Sequence, residues 1–163
     1  MTLSGARASE PPVTAFPLPQ PMRRALDLAS EAARAGEVPV GAVITRNETI
    51  IAEAANAMRG TNDPTAHAEV VAIRRAAEVL GTSRLDNCTL WVTLEPCAMC
   101  AAASSLARIA RLIFAAEDLK GGGVIHGARI FAHPTCNHRP EILSGIGGEE
   151  AAAQLREFFA ARR

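Results

Sequence analysis

The sequence predicts an α/β domain in which a mixed, partly parallel sheet carries helices on both faces, and three observations predict it. Apolar residues at helical spacing alternate along the chain with short apolar runs of strand length. The first two of those runs flank a compact polar turn, so the sheet starts with an antiparallel hairpin. Finally, 163 residues of 48% hydrophobic composition suffice for one core and are short for two.

Residues 1–21 hold five of the ten prolines, all between Pro11 and Pro21, with few large apolar side chains. Such a segment does not repay the entropy of folding, and it reads as a disordered Pro-rich tail before a domain over 22–163. From Met22, Ala25, Leu26, Ala29, Ala32 and Ala33 form one helical face, and Gly36 closes the helix. Residues 40–45 and 49–55 then read as two strands around Arg46-Asn47-Glu48. Asp63-Pro64-Thr65 offers a cap and a first-turn proline to a helix through Ala66, Val70, Ile73, Ala77 and Leu80, which Gly81 ends. Residues 89–94 form a buried strand, and Pro96 opens a helix through Cys97, Cys100 and Leu106. Residues 111–115 are the next strand. After Gly121-Gly122-Gly123, the pattern predicts a short helix over 124–131 and a terminal helix over 149–163 with Leu155, Phe158 and Phe159 apolar.

Composition narrows the function. No apolar run has the length of a membrane span, and residues 1–20 lack the apolar centre of a secretory signal, so a cytoplasmic protein is expected. Seventeen basic residues balance seventeen acidic ones, which removes any long-range attraction to nucleic acid or membranes and makes RNA binding, where it occurs, local. Lys120 is the only lysine; the other sixteen basic residues are arginine, suited to bidentate phosphate contacts. With no Tyr, one Trp and five Phe, a broad platform stacking many bases is excluded.

The chemistry gathers at two helix starts. His67 stands in the first turn of one predicted helix, and Cys97 with Cys100 in the first turn of another, where i, i+3 spacing puts both sulfurs on one face. Helix N-termini favour thiolates, the form that binds metal, and one imidazole with two thiolates suits zinc. Three protein ligands leave a tetrahedral position open for water, as in catalytic sites. Because two thiolates cancel the charge of Zn2+, that water is acidified less than at a three-histidine site and needs a neighbouring base. Glu69, two residues after His67, is placed to serve without ligating the metal. The arrangement is one for hydrolytic deamination.

Taken alone, Cys-x-x-Cys also suits a redox pair, and Cys136 with His138 could close a four-ligand structural site with Cys97 and Cys100. A zinc-stabilised binding module without turnover is therefore the alternative of another class. Cys88 and Cys136 otherwise read as a core thiol and a loop thiol.

The stretch Asp63-Pro64-Thr65-Ala66-His67-Ala68-Glu69, followed by Thr93-Leu94-Glu95-Pro96-Cys97-Ala98-Met99-Cys100, resembles the bacterial tRNA-specific adenosine deaminases of the cytidine deaminase-like zinc superfamily. The resemblance runs from about Met22 to Arg163. It takes in Asn56, Phe114-Ala115-Ala116-Glu117-Asp118-Leu119-Lys120, Asn137-His138-Arg139 and Phe158-Phe159. The chain departs from the family pattern at Ala57 and Ala160, where basic residues are common, and at Ser104-Ser105 in a usually more apolar helix.

The resemblance implies a three-layer α/β/α cytidine deaminase-like fold around a central mixed five-stranded sheet, and a homodimer with active sites near the subunit interface. It implies one Zn2+ per subunit and conversion of adenosine to inosine at the wobble position of an arginine tRNA, held by its anticodon stem-loop. By position, His67, Cys97 and Cys100 would hold zinc, and Glu69 would carry the proton from zinc-activated water to the base. Asn56 would hydrogen-bond the flipped nucleoside, the backbone at Ala68 would contact the base, and Val38 and Val40 would form the pocket's apolar wall. Asp118, Lys120 and Asn137 would meet neighbouring nucleotides, with Phe158 and Phe159 also offered to substrate. The alternative within the same chemistry is a zinc deaminase of a free nucleobase or nucleoside such as guanine, cytosine or adenosine, which the zero net charge suits.

Overall fold

The computed structural model describes residues 17–163. The expected tail lies outside the described residues up to residue 16. Its expected boundary at residue 21 shifts, because helix α1 spans Gln20–Arg34 and takes Pro21 into its first turn, where a missing N–H costs no hydrogen bond. Leu18, just ahead of the helix, packs onto the core beneath it.

Strand β1, Gly41–Arg46, and strand β2, Thr49–Ala55, form the expected hairpin. Asn47 and Glu48 both adopt left-handed backbone (φ 50° and 65°), which matches a two-residue turn to the twist of its strands. A short helix α2, Met58–Thr61, follows; four residues carry no readable period, and the sequence did not reveal it. Helix α3 spans Ala68–Leu80, strand β3 Cys88–Leu94, helix α4 Ala98–Leu106 and strand β4 Arg111–Ala116. Strand β5, Glu141–Ser144, and helix α5, Gly148–Ala160, complete the fold.

The five strands lie in the order β2-β1-β3-β4-β5. β1 is antiparallel to both β2 and β3, while β3, β4 and β5 run parallel, so the sheet is mixed and five-stranded as the resemblance implies. Alternation along the central strands sorts the core into two layers. Ala42, Ile44, Leu90, Val92, Leu112 and Phe114 pack on α3 and α4, whereas Val43, Ile113 and Ala115 pack on α1 and α5. β5 is a short edge strand with mostly exposed side chains, which left no alternation in the sequence to mark it.

The helix expected over 124–131 does not form. Only Ile130–Ala132 makes one tight turn, and the N–H groups of Val124, Ile125 and His126 donate to the Glu95 carboxylate instead of to helix carbonyls.

Candidate active site

The two donor-bearing helices start later than the sequence suggested, which places His67 and Cys97 at their N-caps rather than in their first turns. Asp63 Oδ1 accepts from the Thr65 N–H (2.8 Å) and the Thr65 hydroxyl (2.7 Å), holding 63–66 in a turn, and His67 leaves it in extended backbone (ψ 147°) directly ahead of α3. Cys97 is likewise extended (ψ 174°) ahead of α4, with Cys100 in the first turn. Both N-termini meet at the ends of β1 and β3. His67 Nδ1 lies 3.6 Å from Cys97 Sγ and 3.5 Å from Cys100 Sγ, and the three donor atoms fall within 4.8 Å of one another. Among the described residues this is the one group of three or more such side chains that could hold a metal.

The geometry fits zinc. A tetrahedral ion with bonds of about 2.0–2.1 Å to nitrogen and about 2.3 Å to sulfur sets its N and S ligands about 3.6 Å apart. That is the spacing of His67 to each cysteine. The electrostatics of the donors also suits a dication. The hydrogen bond from Cys100 lowers the Cys97 thiol to about 4 against the effect of burial, with His67 adding to the fall. The Cys100 thiol is pushed up by the same bond, by burial and by Glu69. His67 is raised chiefly by Cys97. One proton is thus shared between two sulfurs, and a bound cation would let both be thiolates. A hydrogen bond to the Pro64 backbone also acts on the His67 ring, the kind of contact that fixes the orientation of a metal-binding imidazole.

Glu69, in the first turn of α3, is 4% exposed and lies against Cys100. Burial pushes its carboxyl up to about 7, opposed by its own backbone N–H. A carboxyl that exchanges its proton near neutrality beside a metal-binding group is equipped for general acid–base work.

The structure brings four more expected residues to this end of the sheet. The Asn56 N–H donates to the Val40 carbonyl (2.9 Å), the Val40 N–H to the Val38 carbonyl (2.8 Å), and the Ala57 N–H to the Ala66 carbonyl (3.0 Å), stitching the end of β2 to the His67 turn. Asn56, Val40 and Ala68 are buried and Val38 is half-buried. Asp118 and Lys120 lie in the loop after β4. Asp118 Oδ1 is engaged by the N–H groups of Lys120 (3.1 Å) and Gly121 (2.9 Å), and Lys120 is exposed.

Asn137 and the phenylalanines are placed elsewhere. Asn137 lines a cavity of about 450 Å³ with Ser105, Arg108, Cys136 and His138. Ser105 donates to the His138 carbonyl (2.7 Å), which ties this segment to the far end of α4, about 12 Å along the helix from Cys97. Phe158 is buried on the α1–α5 side of the sheet near Ser30 and Ala33, its ring covered by the Arg162 guanidinium at 3.5 Å. Phe159 is half-exposed beside it, edge to face.

Two residues of this region escaped sequence reasoning. Glu95 and Glu37 are both buried; Glu95 accepts backbone N–H groups from the loop after β4, and Glu37 accepts the Gly60 N–H of α2. No local pattern marks Glu95, because the groups it binds lie 23 to 31 residues further along the chain.

These are the marks of a deaminase, and residues 19–163 match the MafB19-like deaminase family. The chain is 50% identical over 142 residues to the tRNA-specific adenosine deaminase of Agrobacterium fabrum, covering 87% of this chain and 93% of that protein. It is 46% identical over 143 residues to the enzyme of Haemophilus influenzae, covering 87% and 83%. A solved structure from a study of A-to-I editing by tRNA:A34 deaminases superposes with a TM-score of 0.82 at 50% identity, over 83% of this chain and 98% of that one. The guanine deaminase of Bacillus subtilis gives a TM-score of 0.58 at 49% identity over 60% and 62%. This chain belongs to the tRNA-specific adenosine deaminases.

Proposed function

We propose that the protein converts adenosine to inosine at the wobble position of an arginine tRNA, taking the anticodon stem-loop as its substrate and holding one Zn2+ per subunit at His67, Cys97 and Cys100. The observation that carries this reading is Glu69, a buried carboxyl set against the three-donor group with its pKa near 7. Zinc at those donors would supply Lewis acidity to a water in its open position. Glu69 takes a proton from the attacking water, delivers it to N1 of the adenine, and serves again as ammonia leaves. Asn56 and the backbone at Ala68 hold the extruded base against the wall of Val38 and Val40. A single base taken from a loop needs a deep pocket and few local contacts, which suits a chain of zero net charge.

Exposed Lys120, the Asp118 turn, Asn137 and the half-exposed Phe159, with Phe158 stacked on Arg162 beneath it, would meet the flanking nucleotides. The outward face of α4 supports a homodimer: Met99, Ala102, Ala103 and Leu106 lie one above another with no charge among them, and Leu106 is 82% exposed. A cytoplasmic location follows from a tRNA substrate, and among the described residues no helix is long and apolar enough to cross a membrane.

The test is to incubate zinc-loaded protein with an arginine-tRNA stem-loop carrying wobble adenosine and to assay the digested RNA for inosine. Inosine from the parent and none from Glu69→Ala is expected. A folded, zinc-replete protein that makes no inosine overturns the reading. In favour of a second reading, free-base deamination, stand the zero net charge and the likeness to the B. subtilis guanine deaminase. Turnover insensitive to ionic strength would support it, since phosphate contacts make RNA turnover fall with salt.

A further inference from the structure

Glu95 joins β3 to the helix that carries Cys97 and Cys100, and its side chain is fully buried. Its Oε1 accepts from the backbone N–H groups of Val124 (3.3 Å), Ile125 (2.8 Å) and His126 (2.9 Å). Its Oε2 accepts from the Asp118 N–H (3.0 Å) and pairs with His126 Nδ1 (2.8 Å). Five donors from both ends of the 118–126 loop converge on one carboxylate, which has about four lone-pair sites to offer.

The loop is pressed onto this carboxylate without room for side chains. A Cβ on Gly122 would stand 2.5 Å from Glu95 Cδ, and one on Gly123 would stand 2.5 Å from Ala98 N, at the start of α4. The Gly123 N–H donates to the Pro96 carbonyl (2.8 Å). Glu95 therefore fixes the offset between the metal-binding helix and the turn that exposes Lys120. Asp118, at the head of that turn, spends Oδ1 on Lys120 and Gly121 N–H groups and relies on Glu95 to receive its own.

We propose that Glu95 is a positioning residue for RNA: its buried carboxylate sets the Asp118–Lys120 turn against the nucleotides flanking the target base, so that it governs capture of the strand rather than the chemical step. The inference rests on the reading above that this turn meets RNA. Glu95→Gln keeps an oxygen for the N–H groups of Val124, Ile125 and His126 but turns an amide toward the Asp118 N–H and the His126 ring, freeing the Lys120 end of the loop while the three backbone bonds at 124–126 remain. Gly122→Ala leaves the carboxylate in place but crowds both Glu95 Cδ and the Asp118 carbonyl oxygen, each 2.5 Å from the added Cβ, so the turn shifts with Glu95 intact.

Both variants are expected to keep one zinc per chain, to hold kcat within about threefold, and to raise KM for the stem-loop about tenfold or more, the scale of losing one hydrogen bond to a charged group. Amide exchange at Asp118 should quicken in Glu95→Gln while residues 124–126 stay protected. Lys120→Ala separates the two ideas. If it raises KM and the folded, zinc-replete Glu95 and Gly122 variants do not, the positioning role is overturned and the turn's contact with RNA stands. If Lys120→Ala leaves KM unchanged, that contact fails and the proposal falls with it. A fall in kcat and zinc content with unchanged KM also overturns it, by assigning Glu95 to the metal helix alone. Should Glu95→Gln not fold, the KM of Gly122→Ala decides.

Discussion

Glu37 Oε1 accepts a hydrogen bond from the Gly60 N–H at 2.8 Å, tying the segment between α1 and β1 to the short helix that follows Asn56. Glu37 is 5% exposed, so the bond is made by a carboxylate withdrawn from water. Hydrogen bonds to charged groups contribute about 1.5–3 kcal/mol. Glu37→Ala is expected to lose about that much in urea unfolding, and Glu37→Gln, which keeps an accepting oxygen, to lose less. Equal losses in the two variants would show that packing, not the bond to Gly60, is what Glu37 supplies.

The buried carboxyl of Glu69 makes the stability of the metal-free protein depend on pH. Its folded-state pKa, about 7, lies above the ordinary 4.5 because burial disfavours the charge. The protonated form fits the fold, so stability is full below about pH 4.5 and is lost as pH rises through 7. At about 1.4 kcal/mol per tenfold change in proton affinity, the loss is on the order of 3 kcal/mol. Glu69→Gln removes the penalty, and in chelator its unfolding free energy should fall less than the parent's between pH 5 and pH 8. The zinc-loaded variant should retain its metal while kcat drops by about two to four orders of magnitude, the range for a lost general base. Parallel pH curves in chelator, or an active variant, would remove Glu69 from the proton-shuttle role.

How much of this was legible in the sequence depends on whether a residue's role is local. The donors and Glu69 were readable because helix spacing places Cys97 and Cys100 together and a helix start carries His67 and Glu69. The four strands with buried faces were readable for the same reason. β5 was not, being four mostly exposed residues that owe their strand state to pairing with Arg111 to Phe114. Val124, Ala128 and Phe131 recur at helical spacing, but three N–H groups of this segment are taken by Glu95, about thirty residues earlier in the chain. Phe158 reads as one face of a helix, yet that face belongs to the α1–α5 layer. Propensity reports none of these long-range partners.

Zinc uptake should release protons. Cys97 is a thiolate at neutral pH, while Cys100 holds its proton because of Cys97, burial and Glu69. Binding must displace at least that proton, so affinity falls as pH falls. Calorimetric titration at pH 7 in two buffers of different ionisation enthalpy is expected to show heats that differ by one proton or more. Cys97→Ala should lose the metal. Buffer-independent heats would mean that both sulfurs are thiolates before zinc arrives.

Gly41 opens β1 directly beneath α1, and its N–H donates to Thr93 Oγ1 at 3.2 Å. A Cβ there would overlap the Ala25 carbonyl oxygen and stand 2.8 Å from Leu28 Cβ and 2.9 Å from Ala29 N. The obstruction is largely backbone, so no rotamer change relieves it and α1 must lift from the sheet. Overpacking costs typically 1–3 kcal/mol, which at roughly 2–4 °C per kcal/mol predicts a lower melting temperature for Gly41→Ala by several degrees. The strain reaches the site as well, because Val40 precedes Gly41 and its carbonyl accepts the Asn56 N–H. The expected signature is therefore a lower Tm together with a higher KM at unchanged zinc content. Gly36→Ala is the control for helix-end strain alone: Gly36 is left-handed (φ 81°) and a Cβ there would meet no atom within 4 Å, so it should lose stability without disturbing KM. Equal effects of the two variants on KM would break the link that runs from the α1 packing through Val40 to Asn56.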